Sequence, residues 1–198
     1  LFVDPTLLSG LDETLSRCLC LRHVVVMEDA ARMPQTGLGD VHCHETLIAQ
    51  AAETGPWGGV AEGDPCILFH TVGAGSGPPK GVMWPHRSTV LAALIASDAE
   101  ALGFTAGDVV LPRTPFWRSG AWGMVFAAPP AGCKLVLPGP RMDASSLLKM
   151  IQAENVTFAL GSPSEIQALS AQMKMVGRPQ ALRRVMIVDD SLIARRRV

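Results

Sequence analysis

From Phe69 to Val82 the chain reads Phe69-His70-Thr71-Val72-Gly73-Ala74-Gly75-Ser76-Gly77-Pro78-Pro79-Lys80-Gly81-Val82. Glycines let backbone N–H groups converge, because no Cβ blocks close approach or positive φ. A concavity of that kind holds phosphate oxygens. Thr71 and Ser76 add hydroxyl donors and Lys80 adds a mobile positive charge, so the set suits a triphosphate. Two other phosphate loops are excluded. A Walker A loop needs Gly directly before Lys and Ser or Thr directly after it, whereas Pro79 precedes Lys80 and Gly81 follows. A dinucleotide fingerprint needs a third glycine where Pro78 stands, and a helix where extended residues follow. The glycines taken alone serve equally as a flexible linker between strands.

Other chemistry-bearing residues are sparser. In Val41-His42-Cys43-His44-Glu45, His42 and His44 share a face if the segment is extended. A structural zinc needs about four ligands, and no second ligand cluster lies nearby in sequence, so no metal site is assigned. Gly75-Ser76-Gly77 lacks the five-residue nucleophile elbow, which excludes hydrolase chemistry of that type. Asp189-Asp190 has no third acidic partner in sequence and reads as a solvated strand end. Trp117 and Trp122 flank Arg118-Ser119-Gly120-Ala121, a pattern that fits either the wall of an apolar slot or aromatics capping a sheet.

Composition bounds the function classes. The chain has 198 residues, 48% hydrophobic and 18% charged, enough to bury a sizeable core and unlike a disordered segment. Lys plus Arg number 17 and Asp plus Glu 18, a net charge of -1 that leaves no electrostatic footprint for nucleic acid or an anionic membrane. Tyrosine is absent, which argues against a base-stacking surface. Cys18, Cys20, Cys43, Cys66 and Cys133 are odd in number and form no C-x-x-C pair, against both a disulfide framework and a zinc ribbon. Reduced thiols in a cytosol are the simplest reading, so the expected localisation is cytoplasmic. Cys66 and Cys133 read as small buried apolar groups. No apolar run is long enough to span a bilayer.

The elements that must position these residues alternate. Strands are expected at Leu1 to Val3, His23 to Met27, Cys66 to Phe69, Gly81 to Trp84, Asp108 to Leu111, Lys134 to Leu137, Thr157 to Ala159 and Arg184 to Val188. Helices are expected from Pro5 to about Cys18, Glu45 to Ala52, Arg87 to Leu102, Ala121 to Ala127, Ser145 to Glu154 and Ser164 to Met175. Ala30 to Asp40 is turn-rich. Strand alternating with helix predicts an α/β layered fold with a largely parallel sheet and flanking helices.

Ser76-Gly77-Pro78-Pro79-Lys80-Gly81-Val82 followed by His86-Arg87 resembles the phosphate loop of the acyl-adenylating, or AMP-binding, superfamily. That superfamily includes acyl-CoA synthetases, luciferases and peptide-synthetase adenylation domains. An ordered series extends the likeness, toward medium- and long-chain fatty-acyl-CoA ligases. It comprises Asp108-Val109-Val110-Leu111-Pro112, Pro115-Phe116, Ala121-Trp122-Gly123, Lys134 to Arg141, Asn155 to Ala159 and Leu182 to Ile187. The resemblance runs from about Leu1 to Ile187, nearly the whole chain.

The resemblance implies a two-step reaction. A carboxylate attacks the α-phosphate of ATP, giving acyl-adenylate and pyrophosphate; the thiol of coenzyme A then displaces AMP to form the thioester. It implies that Thr71, Gly73, Gly75, Ser76, Gly77 and Lys80 hold the β- and γ-phosphates, and that Trp117, Trp122, Gly123, Gly161 and Ser162 border the fatty-acyl slot. Mg2+ would accompany ATP. No catalytic residue is assigned. The chain also departs from the pattern. Thr71 to Gly77 is about two residues longer than the family loop and poorer in hydroxyls, each worth roughly 1.5–3 kcal/mol to a phosphate. Trp117 stands where the family often has His, and Asp189-Asp190 where it usually has Gly-Gly. The family's magnesium-binding Tyr-Gly-x-Thr-Glu segment, ribose-binding Asp and C-terminal catalytic Lys do not occur.

The expected organisation is therefore residues 1–198 as part of an N-terminal AMP-binding domain, from a truncated or degenerate ligase that is inactive by itself. Its partners are small molecules, and apolar surface exposed on such a piece favours self-association. The alternative is a non-catalytic module that binds a nucleotide or a partner protein.

Overall fold

The computed structural model describes the chain except residues 56–57, 72–77, 115, 117–118, 140–141 and 189–198, and the side chains at 12, 71 and 119–122. Two compact units divide it, Leu1–Gly59 and Val60–Val198.

The first unit is built on three short parallel strands in the order β1 (Phe2–Val3), β2 (Val24–Val26), β3 (Val41–Cys43). Three consecutive β-branched valines make β2 a stiff extended segment, buried along its length. Val3, Val24 and Val26 point to one face and pack with Leu8, Leu11, Leu15, Leu21 and Val41. The single helix expected from Pro5 to Cys18 is two, α1 (Pro5–Leu8) and α2 (Asp12–Ser16). Asp4 caps α1, accepting from the Thr6 N–H at 2.9 Å. The chain turns through Ser9-Gly10-Leu11, where glycine weakens helix continuation. β3 was not expected as a strand: three residues are too few to display a period of two, and pairing to β2 creates the element. Helix α3 (His44–Gln50) follows it.

In the second unit, β4 (Pro65–Thr71) and β5 (Lys80–Pro85) form an antiparallel pair, the exception in the largely parallel arrangement expected. Helix α4 (His86–Ala96) follows and ends six residues before the expected Leu102. There the Asp98 carboxylate accepts from the Glu100 N–H at 2.8 Å and folds the chain into a turn. The rest is a four-stranded parallel sheet with elements β6 (Val109–Pro112), α5 (Ser119–Ala127), β7 (Lys134–Leu135), α6 (Ala144–Ala153), β8 (Phe158–Gly161), α7 (Pro163–Val176) and β9 (Arg184–Ile187). Its strand order is β7-β6-β8-β9.

Alternation along the strands sorts two cores onto the two faces of this sheet. Val110, Phe158 and Leu160 pack with Ala93 and Ala96 of α4 and Met124 and Ala127 of α5. Leu111 and Ala159 face the other way, against Leu147, Leu148 and Ile151 of α6 and Leu169 of α7. Every residue of β8 is buried, as a central strand covered on both sides must be. Val90, Leu91, Leu94 and Ile95 of α4 stay exposed, apolar surface of the kind that self-association would use. Cys66 and Cys133 are half-buried rather than buried, and Cys18 and Cys20 are exposed. Among the described residues no helix is long and apolar enough to cross a membrane.

Candidate nucleotide and acyl site

The parallel sheet begins at β6, moves outward to β7, then crosses to the other side of β6 for β8. Chain direction therefore diverges between β6 and β8. In open α/β sheets the crevice at the carboxyl ends of such strands is where ligands bind, because the two connections leave to opposite sides. Arg113 and Thr114 follow β6 at that end; Gly161 closes β8 and Ser162 follows it. The Arg113 N–H donates to the Leu160 carbonyl at 2.8 Å, holding the two exits side by side.

Ser162 is the N-cap of α7, with Pro163 at the first helical position. Glu165 reaches back and accepts from the Ser162 N–H at 2.8 Å, a capping box that satisfies donors the helix start leaves open. The same carboxylate forms an ion pair with the Arg113 guanidinium, which is about one-fifth exposed. Arg113 also donates from Nε and Nη2 to the Met142 carbonyl, at 3.2 and 2.6 Å. Burial lowers the Arg113 pKa from its ordinary value, and the guanidinium remains charged. A Cβ at position 161 would come within 3.1 Å of both Glu165 Oε2 and Ile166 Cδ1. Gly161 therefore leaves the room in which Glu165 folds back. The Thr114 hydroxyl is buried and has no hydrogen-bond partner among the described residues.

Arg113, Thr114 and Glu165 were not among the candidates read from sequence. Ser162-Pro163-Ser164-Glu165 carries the S-x-x-E signature of a capping box and was legible. Arg113 was not, since its partners lie 29 and 52 positions away. Changing Glu165 to Ala should lower stability by about 2 kcal/mol, through loss of the cap and of the partner of a half-buried guanidinium. Glu165→Gln keeps the acceptor for the Ser162 N–H and should cost about half as much. Chemical denaturation of both variants checks the order.

Of the acyl-slot candidates, Gly161 and Ser162 sit together at this switch point. Gly123 lies on α5, and among the described residues nothing comes within 4 Å of where its Cβ would be. Trp117 and the Trp122 side chain lie outside the described residues. For the phosphate loop, Thr71 and Lys80 occupy the terminal rung of the β4–β5 pair, directly opposite each other. The loop thus springs from an antiparallel hairpin, with Lys80 exposed at its mouth. Gly73, Gly75, Ser76, Gly77 and the Thr71 side chain fall outside the described residues, as does Asp189-Asp190. The histidine pair is also rearranged. His44 opens α3 and binds Glu45 at 2.9 Å, while His42 meets His23 and Asp40.

Comparison with known proteins adds the relationship. A family model described as AMP-binding enzyme matches residues 4–194. The chain is 40% identical, over 73% of its length, to a medium-chain-fatty-acid–CoA ligase of Ectopseudomonas oleovorans, covering 26% of that protein. It is 35% identical, over 98% of its length, to a long-chain-fatty-acid–CoA ligase of Thermus thermophilus, covering 35% of it. The chain thus spans a quarter to a third of these relatives. Among solved structures, an anthranilate CoA ligase in complex with anthranoyl-AMP superposes on 93% of this chain and 35% of its own, with a TM-score of 0.80 at 22% identity, a likeness of fold.

Proposed function

The chain belongs to the family of AMP-binding enzymes, and on that premise we propose that it is the phosphate- and acyl-binding portion of an ATP-dependent fatty-acyl-CoA ligase. In this reading residues 1–198 are part of the ligase's N-terminal region. The observation that carries it is the last rung of the β4–β5 hairpin, with Thr71 opposite Lys80 across the mouth of the glycine loop. Loop N–H groups and hydroxyls with the Lys80 ammonium would orient the β- and γ-phosphates. They would also offset the charge that develops on pyrophosphate as the fatty-acid carboxylate bonds to the α-phosphorus. Fixing both reactants turns a bimolecular displacement into an effectively unimolecular one. The exits of β6 and β8, with Gly161 and Ser162, would border the acyl chain. Coenzyme A is the second substrate, its thiol taking the acyl group from AMP.

Mg2+ normally accompanies ATP in such chemistry. From Pro65 to Pro85 there is no Asp or Glu. Hard cations take carboxylates, so the hairpin's donors suit phosphate oxygens and do not fit the metal. No step is routed through it. A second reading, a non-catalytic nucleotide-binding module, draws on the lengthened, hydroxyl-poor loop and on Asp189-Asp190.

Titration calorimetry tests the phosphate assignment. ATP should bind more tightly than AMP, and Lys80→Ala should weaken ATP by about 10- to 100-fold while leaving AMP nearly unchanged. Equal affinity for the two nucleotides, or none for either, would sink the assignment. Fatty-acid-dependent exchange of pyrophosphate into ATP tests the second reading: the ligase portion by itself and the module both bind ATP without exchange, whereas exchange by this chain would exclude the module.

A further inference from the structure

We propose that His23, Asp40 and His42 form a surface site for a divalent d-block cation of the zinc class, independent of the nucleotide chemistry. The three residues come from adjacent strand positions. Parallel pairing sets Val24 against Val41 and Val25 against His42, so His23 and Asp40 stand opposite each other one step earlier. Val24, Val26 and Val41 pack in the core of the unit. Alternation then turns His23, Asp40 and His42 to the opposite face, away from that core.

There the ligand atoms converge. His23 Nδ1 lies 2.7 Å from Asp40 Oδ2, His42 Nε2 lies 3.1 Å from Asp40 Oδ1, and the two ring nitrogens are 3.3 Å apart. Donors bonded to one ion at about 2.0–2.1 Å with tetrahedral angles stand about 3.3–3.4 Å from each other. The two ring nitrogens stand at that spacing, and each has its own oxygen of the Asp40 carboxylate beside it. Which of these nitrogens donates depends on the tautomer; a bound ion would take a lone pair from each ring and offset the carboxylate charge. Asp40 is held at φ 54 and its carbonyl accepts from the Val24 N–H at 3.3 Å, so the backbone presents the carboxylate in a fixed place.

The donor set selects the ion. Two imidazoles and one carboxylate suit Zn2+, Co2+, Ni2+ or Cu2+, whereas Mg2+ and Ca2+ require more oxygen ligands. His23 and Asp40 are more than half exposed and His42 about one-third, so water completes the coordination and binding is reversible. His44, which neighbours His42 in sequence but binds Glu45, takes no part.

Exposed thiols are competing ligands for zinc, so the test uses the full chain carrying Cys18→Ser and Cys20→Ser. Calorimetry should show one Zn2+ per chain, undisturbed by excess Mg2+, and Co2+ should give visible absorption bands. His23→Ala, His42→Ala and Asp40→Asn should each weaken Zn2+ at least about tenfold. Asparagine is chosen because it tolerates the left-handed backbone at position 40. His44→Ala, with an undisturbed site, should bind as the parent does. A parent chain that binds no Zn2+ at millimolar metal overturns the site. So does retention of parent affinity in both His23→Ala and His42→Ala, or loss of it in His44→Ala.

Discussion

Replacing Asp108 with Ala is expected to remove about 3 kcal/mol of stability from the second unit, Val60–Val198, the cost of leaving buried donors unmatched. Asp108 is buried just ahead of β6. Its Oδ1 accepts from the Thr157 hydroxyl at 2.8 Å, and its Oδ2 accepts from the Thr105 N–H at 3.0 Å and the Thr105 hydroxyl at 3.1 Å. Arg184 Nη2 lies 3.1 Å from Oδ2. One carboxylate thus ties the entrances of β6, β8 and β9 together. Burial alone would raise its pKa, but the bonds from Thr157, Thr105 and Arg184 outweigh burial and hold it below the usual 3.8. A group depressed in the folded state binds its proton more readily when unfolded. The stability it contributes is therefore complete above 3.8 and is lost as pH falls through the lower, folded value. Urea midpoints for the parent and Asp108→Ala should differ most near neutrality and converge below that range. A constant gap down to the acid limit would show that the carboxylate's charge contributes nothing.

Phe158→Ala should cost about 3–5 kcal/mol, as buried Phe to Ala changes do. Phe158 opens the central strand and is 3% exposed. Its ring meets Phe104 edge-on, with centroids 5.1 Å apart, and the Arg184 guanidinium lies over it at 5.2 Å. Neighbouring Ala93, Ala96 and Ala127 are too small to fill the space it would leave. Because Arg184 touches both Phe158 and Asp108, the double variant should lose less than the sum of the singles. Strand β8 carries Gly161 and Ser162 to the crevice, so under the proposed function both changes should also weaken nucleotide and acyl binding when the fold is marginal. Denaturation with simultaneous ligand titration checks the link. Full stability in Phe158→Ala would mean the cavity collapses without loss.

Sequence and tertiary structure divide this protein along a physical line. Local chemistry was legible wherever neighbours in the chain are neighbours in space. The valine run of β2, the alternation of Val110 with Leu111, the apolar stripe of α6 and the Ser162–Glu165 cap follow from periods and short spacings. The glycine loop, its hydroxyls and Lys80 were visible for the same reason, and the ordered stretches carried the family likeness. What needed the fold was every arrangement made by distant segments. The antiparallel β4–β5 pairing, the divergence between β6 and β8, and Arg113 against Glu165 leave no local mark, because long-range pairing is chosen by burial and register. The histidines show the difference most sharply. Sequence joined His42 to His44 through proximity along the chain. The sheet joined His42 to His23 and Asp40, because parallel register, unlike chain order, brings together residues that are 17 and 19 positions apart.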